Sequence, residues 1–595
     1  MSQYEKQNVH TINIDFQKVK CTFSRFTGFR SERKQILHGV SGLFKSGELT
    51  AVMGPSGSGK TTLLNTLTGF QKNFEGKITY RTESDELSWQ SFKKYSRYIQ
   101  QEDALHAFFT VQETMSFAAE LKMDSHLDRR EKQKIMDEIL NSLGLIKTKE
   151  TLCGNLSGGQ RKRFSIALEL INNPLVLFLD EPTTGLDIVA AMQCAIVLKN
   201  LAKKNRTIVC TIHQPSTAIY ELFDHVYLIA EGRSVYQGDP MQIASFFGSV
   251  GLTCPKYHNI ADYAMEVRLR SFLQQVMSNE HGKFNKRLAA AQYSSWRKKD
   301  VEIIQEEKMK TFIVNSPSEF RKAVLISKFC LMRYYKDWLG TLLKFLIYTT
   351  TAIFVGLTYF DIGMNAFKVQ SNIGMMVFVS ISLFFVSIMP AVLKFPFELH
   401  ILRKEHLNGW YKIRTYFFCF LIIHLHVQLL FITYSVGIVY IMTSQPLEWY
   451  RFFMFEIMLV LICFIGEGIG LICGTMLSPL AGTFAGIVVG VINVPFCGYF
   501  ILFPHMSWLM YHVSKLMFSG YCLEGLLHAI YGFNREKLDC PSDQDICFYR
   551  YPKVLLLVAG VKEEQVLLDT AILTGHAMIL FILAYICLKM KLSSI

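Results

Sequence analysis

The sequence predicts two folding units in series: an α/β domain with a mainly parallel sheet, then an all-α unit of six membrane-spanning helices. Three observations predict this. The 595 residues are too many for one core at roughly 100–200 residues per domain. Up to about residue 245, short apolar runs alternate with helical stretches. From about Trp338 the apolar runs lengthen towards the roughly 20 residues a helix needs to cross a bilayer.

Half of the residues are hydrophobic and 19% are charged, which excludes a disordered chain. The net charge is +13. A basic balance can neutralise nucleic-acid phosphates, but no nucleic-acid motif of the usual kinds is present. Positive-inside bias explains the charge instead, and no nucleic-acid partner is expected. The 14 cysteines are scattered, without zinc-type CxxC pairs, so most are expected to be reduced, apolar side chains. Met1 to Asp15 is polar and does not read as a signal peptide, so the first domain is expected in the cytosol.

In the first domain, 1–245, Glu48–Met53 reads as a buried strand that enters a Gly-rich loop and then the helical stretch Thr61–Leu67. Leu175–Leu179 and Thr207–Ile212 read as further buried strands. Residues 246–337 read as a connector. Arg270–Glu306 is charged and Gln-rich, and Ser316 to Glu319 can cap an amphipathic basic helix, Phe320–Trp338, along the inner membrane face. The membrane unit, 338–595, has spans at Leu339–Phe360, Ile373–Leu393, Tyr416–Met442, Phe452–Met476, Gly482–Leu502 and Leu567–Leu588. Lys394, Arg403, Lys404, Lys412 and Arg414 follow the second span, and Lys589 and Lys591 follow the sixth. Both basic segments fall inside if the N-terminus is inside. The largest outer loop is then about 503–566.

Three motifs carry chemistry. Gly54-Pro55-Ser56-Gly57-Ser58-Gly59-Lys60-Thr61 matches GxxxxGK[ST] between a strand and a helix. Its glycines let backbone N–H groups converge on phosphates, where the helix dipole adds to them. Lys60 is expected on the β- and γ-phosphates of ATP, Thr61 on Mg²⁺, and Thr62 beside the nucleotide. The strand Leu175–Leu179 ends in Asp180 and Glu181. Asp180 is placed to hold Mg²⁺, and Glu181 to orient and deprotonate the attacking water. Leu156 to Gln160 reads LSGGQ and opens a helix, so Ser157, Gly158 and Gly159 can form a second anion site with Gln160.

With this LSGGQ run, the sequence resembles ATP-binding-cassette ATPases, whose signature motif it is. The resemblance implies that Gln101 is the Q-loop residue, a catalytic and metal-proximal group. It implies that Asp187 lies in the D-loop, Thr184 to Asp187, and that His213 is the switch histidine. In such proteins the signature of one subunit closes over nucleotide held by the other. A chain with one copy of each motif therefore implies a second half-transporter, either an identical copy or a different one. The adenine-stacking position aligns with Cys21, near Phe23.

The order, nucleotide domain before membrane domain, resembles the G subfamily of reverse-ordered half-transporters. Tyr440 to Pro446, Leu523 to Gly525 and Ile530 to Gly532 resemble its sterol-handling branch, which also places a cysteine pair where Cys540 and Cys547 stand. The resemblance implies an ATPase coupled to export of a sterol or other lipid, with membrane lipid around it and the plasma membrane as its site. A pigment-precursor or xenobiotic carrier working as a heterodimer is the alternative. A soluble ATPase acting on ribosomes or DNA repair shares the nucleotide motifs, but six spans argue against it. A membrane regulator or channel that uses ATP as a gate would carry the same motifs and stays open. In the membrane half, His424, His426 and Gln428 stand where an Asp-x-Pro stretch is familiar, and Glu467 where a Gln is. Ionisable groups within a span are costly and mark function by default. Glu467, His424 and Phe496 are therefore candidates for the substrate path.

Overall fold

The fold is taken from a computed structural model, which describes residues 11–27, 30–83, 85–249, 317–540, 547–561 and 565–593. The charged stretch Arg270–Glu306 lies outside them. Two compact units divide the chain. Met1–Ser318 together with Lys404–Trp410 forms one; Glu319–Arg403 with Tyr411–Ile595 forms the other.

In the first unit, Leu49–Met53, Val176–Leu179, Thr207–Ile212 and His225–Ala230 are buried at every residue. Such unbroken burial belongs to strands covered on both faces. They lie in a six-stranded sheet ordered Arg233–Gly238, His225–Ala230, Leu49–Met53, Thr207–Ile212, Val176–Leu179, Ser96–Ile99. All neighbours in it run parallel except the first pair. A four-stranded antiparallel sheet is ordered Arg30–Phe44, Asn13–Thr27, Phe74–Arg81, Glu86–Leu87. One core cluster includes Phe16, Phe44, Leu63, Phe178 and Tyr227, so it draws on both sheets and the helix Lys60–Leu67. The phosphate-loop strand lies in mid-sheet, and its loop leaves at the carboxyl end, where open α/β sheets bind ligands.

Among the described residues, the second unit has six helices long and apolar enough to cross a membrane. Four keep close to the expected bounds: Trp338–Thr358, Ile413–Met442, Trp449–Met476 and Val566–Ser593. The second does not stop at Leu393. It runs from Val369 to Leu407 through Pro390 and Pro396, and its last turn packs in the first unit. The fifth ends before Leu502. The helix Pro479–Asn493 tightens into a 3-10 turn, Val494–Cys497, and Gly498 at φ 87° terminates it. Proline removes a donor there, and glycine accepts the left-handed conformation. Within the expected outer loop a helix forms at Phe518–Tyr531, buried from Gly520 to Tyr531. The second and fourth spans approach closely at Gly470, where an added Cβ would meet the Ala391 Cβ at 2.6 Å. The basic helix Glu319–Lys336 precedes the first span.

Candidate functional site

The phosphate loop begins at Gly54, where an added Cβ would stand 2.0 Å from the Ile229 carbonyl oxygen. No other residue fits. Gly57 and Gly59 have φ of 76° and 101°, values that favour glycine. Lys60 starts the helix Lys60–Leu67 and turns its ammonium back onto the Gly54 and Pro55 carbonyl oxygens, at 2.8 and 3.1 Å. Burial holds its pKa below the ordinary lysine value, against the opposing pull of Glu181 and Asp180.

Asp180 leaves the end of Val176–Leu179. Its Oδ1 accepts from Thr61 Oγ1 at 3.2 Å and from Thr211 Oγ1 at 2.6 Å, and its Oδ2 accepts from the Tyr98 hydroxyl at 3.2 Å. Thr61 and Asp180 thus bring hard oxygen donors together, the chemistry a magnesium ion takes. Next to it, the Glu181 backbone N–H donates to Thr211 Oγ1 at 2.8 Å. Its carboxylate accepts from Gln101 Nε2 at 2.8 Å and from Thr184 Oγ1 at 3.1 Å. Glu181 itself sits at φ 45°, a strained backbone for a non-glycine residue. His213 is half-buried, one residue beyond the strand Thr207–Ile212.

The signature residues form a separate surface. Ser157 caps the helix Gly158–Leu170 and exchanges bonds with Gln160. A Cβ on Gly159 would meet the Ala190 Cβ at 2.6 Å, so glycine lets this helix approach the helix that Asp187 caps. Ser157, Gly158 and Asp187 are exposed. Cys21 is fully buried, so it does not face a nucleotide; Phe23 is more than a third exposed.

Sequence reasoning missed Tyr98, Thr211 and the stretch Lys404–Trp410. No motif marks them. In that stretch Asn408 pairs with the backbone of Tyr98, accepting from its N–H and donating to its carbonyl, both at 2.9 Å. The Trp410 indole donates to Glu169 Oε1 at 3.1 Å, and Lys404 Nζ to Ser165 Oγ at 3.3 Å. Both acceptors lie on the signature helix. Lys122 donates to Glu169 Oε2 at 2.9 Å. Burial is the main cause lowering its pKa to about 8.

In the membrane unit His424 and Glu467 meet: Nε2 stands 2.9 Å from Oε1. With residues of the helix Glu319–Lys336 and of the first and second spans they line a cavity of about 100 Å³. Phe496 is not among its lining residues. Cys540 and Cys547 are joined in a disulfide with Cα atoms 6.1 Å apart, within the usual range.

A phosphate-loop motif, an aspartate bonded to its threonine and a poised carboxylate on a mainly parallel sheet, joined to six spans, define an ATP-hydrolysing membrane transporter. Comparison with known proteins narrows this. Residues 37–184 match the family described as ABC transporter, and residues 322–531 match ABC-2 type transporter. Residues 213–291 match a second family of the latter description. The chain is 30% identical to ABC transporter G family member 14 of Arabidopsis thaliana over 554 residues, 88% of this chain and 84% of that protein. It is 28% identical to member 21 of the same plant over 628 residues, 98% and 91% of the two. It is 30% identical over 433 residues to the Broad substrate specificity ATP-binding cassette transporter ABCG2 of Mus musculus, 66% and 64% of the two. The chain belongs to the ABC transporter G family. It is an integral multi-pass membrane protein whose ATPase drives export.

Proposed function

We propose that the chain works as a dimer that exports a sterol or another lipid outward across the plasma membrane, with its ATPase domain in the cytosol. The observation that carries the dimer is the exposed signature surface. Ser157, Gly158 and Asp187 face outward, and beside them Ile188 and Val189 are 78% and 64% exposed. Large apolar side chains next to nucleotide-binding motifs fit burial against a second cassette. Its phosphate loop would then receive Ser157, Gly158, Gly159, Gln160 and Asp187 in trans. In each half-site Gly54 to Thr62 would cradle ATP. Thr61 and Asp180, with Gln101 near, would hold Mg²⁺, which neutralises phosphate charge. Glu181 would take the proton of the attacking water, and His213 would contact the terminal phosphate.

The stretch Lys404–Trp410 supports the energy link. It continues the second span, yet it bonds the signature helix and the Tyr98 strand. Closure of two cassettes would therefore pull on a spanning helix. The sterol reading rests on the resemblance of the Tyr440–Pro446 and Leu523–Gly532 stretches. The domain limits 1–245, 246–337 and 338–595 follow the same reading, with the helix Glu319–Lys336 moving with the spans. The experiment is the ATPase rate of the purified chain in lipid, with and without sterol. Stimulation that Glu181→Gln abolishes is expected. Nucleotide binding without turnover in any lipid would instead require a different partner chain. The broad substrate specificity of the mouse relative favours a xenobiotic carrier as the second reading, and stimulation by varied drugs but not sterol would select it.

A further inference from the structure

Two residues that depart from the familiar pattern of the spans turn out to be partners. His424 lies on the third span and Glu467 on the fourth, both deep in long apolar helices. Glu467 is 2% exposed, so its charge is expensive unless it is matched. Its match is the imidazole, with Nε2 at 2.9 Å. Yet Nε2 makes no hydrogen bond of normal alignment. The attraction therefore rests on charge more than on a directed N–H, and it is strongest when the ring is an imidazolium.

The other ring nitrogen is also engaged. Nδ1 contacts the hydroxyl of Tyr334, on the helix Glu319–Lys336. Phe420 stacks on the ring, 5.4 Å between centroids and 14° from parallel, and fixes its plane. The cavity these groups share holds about 100 Å³, well below the roughly 300 Å³ of pockets that bury drug-sized ligands. It has room for a few waters and not for a lipid cargo.

We propose that His424 and Glu467 form a proton-binding site in the membrane unit, and that its occupancy is passed through Tyr334 to the helix that precedes the spans. Imidazole is the side chain whose charge ordinarily changes between about pH 5 and 8. In the neutral state the ring keeps its proton on Nε2, towards Glu467, and Nδ1 accepts from the Tyr334 hydroxyl. On protonation Nδ1–H donates to the Tyr334 oxygen instead, and the phenol proton must turn to another acceptor. Burial pushes the Tyr334 phenol above its ordinary range, so it stays neutral and acts only by reorienting. No covalent bond forms or breaks besides the N–H, and the proton comes from water.

The surrounding charges are accounted for from each packed element. On the helix Glu319–Lys336, Arg333 is paired with Glu398 of the second span. Asp337, just beyond that helix, is 3.2 Å from Lys394 of the second span. Lys344 of the first span lines the same cavity, and its ammonium lies 5.7 Å from the Phe431 ring centroid. Cys330 is a further titratable lining group. From the sixth span, Leu580 and Phe581 stand beside Gly468, next to Glu467. Arg333 and Lys394 are thus paired with other carboxylates, which leaves Glu467 beside the imidazole.

This rests on the chain being an ATP-driven transporter, and the test separates the two ideas. The full chain in lipid is assayed for ATPase from pH 5.5 to 8.5, each variant scaled to its own maximum. The wild type is expected to show a step of about threefold or more that is missing in His424→Gln and in Glu467→Gln. Tyr334→Phe should blunt the step, since the proton binds but is no longer relayed. Superimposable profiles in the wild type and His424→Gln overturn the proposal. Melting temperature over the same range serves where a variant is inactive. The wild-type advantage over His424→Gln should change across that range; a constant difference also overturns it. A chain without ATPase at any pH fails as a transporter, while its melting profile still reports the proton site.

Discussion

Asn408 bonds Tyr98 as one strand bonds another. Its Oδ1 accepts the Tyr98 N–H and its Nδ2 donates to the Tyr98 carbonyl, each at 2.9 Å. Ser96–Ile99 is the edge strand of its sheet, so a side-chain amide takes the place of a missing backbone neighbour. The same tyrosine sends its hydroxyl to Asp180 at 3.2 Å. A displacement of Lys404–Trp410 is therefore felt at the carboxylate placed to hold metal. Asn408→Ala orphans two buried backbone groups, a cost of about 1–3 kcal/mol each. We expect substrate-stimulated ATPase to fall by about tenfold while nucleotide affinity changes by less than about threefold. Asn408→Asp, which keeps the acceptor alone, should fall between. Full stimulation in Asn408→Ala would remove this link from the coupling path.

Glu181 is held by Gln101 and Thr184 and carries a left-handed φ, so its carboxylate is fixed before substrate arrives. Glu181→Gln preserves that geometry but cannot accept the water proton. Turnover should drop by roughly 10²–10⁴-fold with nucleotide still retained on the protein. Rapid turnover in the variant would assign the base elsewhere.

The cassette was legible because its chemistry is written in contiguous runs. Gly54 to Thr61, Ser157 to Gln160 and Asp180-Glu181 each sit at one strand end or helix start, and the fold brings them where those contexts imply. Six apolar runs likewise announced six spans. Partners distant in sequence were not legible. Asn408 and Tyr98 are 310 residues apart, and nothing in either local sequence names the other. His424 and Glu467 were visible only as two separate oddities. Hydropathy falls at Lys394, which marks Leu393 as the end of the second span. A helix continues wherever its backbone bonds and a packing surface allow, and this one packs in the first unit. The helix Phe518–Tyr531 is hidden for the opposite reason: its 14 residues are too few for a span, so hydropathy leaves it inside the outer loop.

Glu48 precedes the phosphate-loop strand with one carboxylate oxygen buried and unbonded. Burial, opposed by Lys45 and aided by Asp224, raises its pKa from 4.5 to about 7. Between those values the folded state holds a proton the unfolded state has lost, so its contribution falls as pH rises from 4.5 to 7 and stays unfavourable above. Glu48→Gln should be near neutral at pH 4.5 and should stabilise at pH 8 by about 1–3 kcal/mol. Thermal melting of the full chain at both pH values checks this. A stability gain equal at the two would exclude titration of Glu48 as its cause.

Arg451 is 1% exposed and is the cap of the hidden helix. Its Nη1 donates to the carbonyl oxygens of Ala529, Ile530 and Gly532 at 3.2, 3.4 and 2.9 Å, and its Nη2 to Phe533 at 3.4 Å. Its Nε donates to Glu448 Oε2 at 2.9 Å. The last carbonyls of a helix have no partner of their own, and here burial denies them water. One planar fork serves two helical carbonyls, Ala529 and Ile530, and the two that follow the helix, Gly532 and Phe533, which a lysine ammonium with three donors on a flexible stem cannot match. Arg451→Met removes this donor from the Ala529, Gly532 and Phe533 oxygens, while Ile530 keeps Arg535 Nη1 at 3.0 Å; the cost is about 3 kcal/mol in total, a loss of about 6–12 °C in melting temperature for a unit of this size. Arg451→Lys should recover less than half of it. Since the residue lies outside the cassette, nucleotide binding below the transition should be unchanged in both variants. A variant that melts like the wild type would mean the carbonyls find other donors, and the helix would then owe its burial to packing alone.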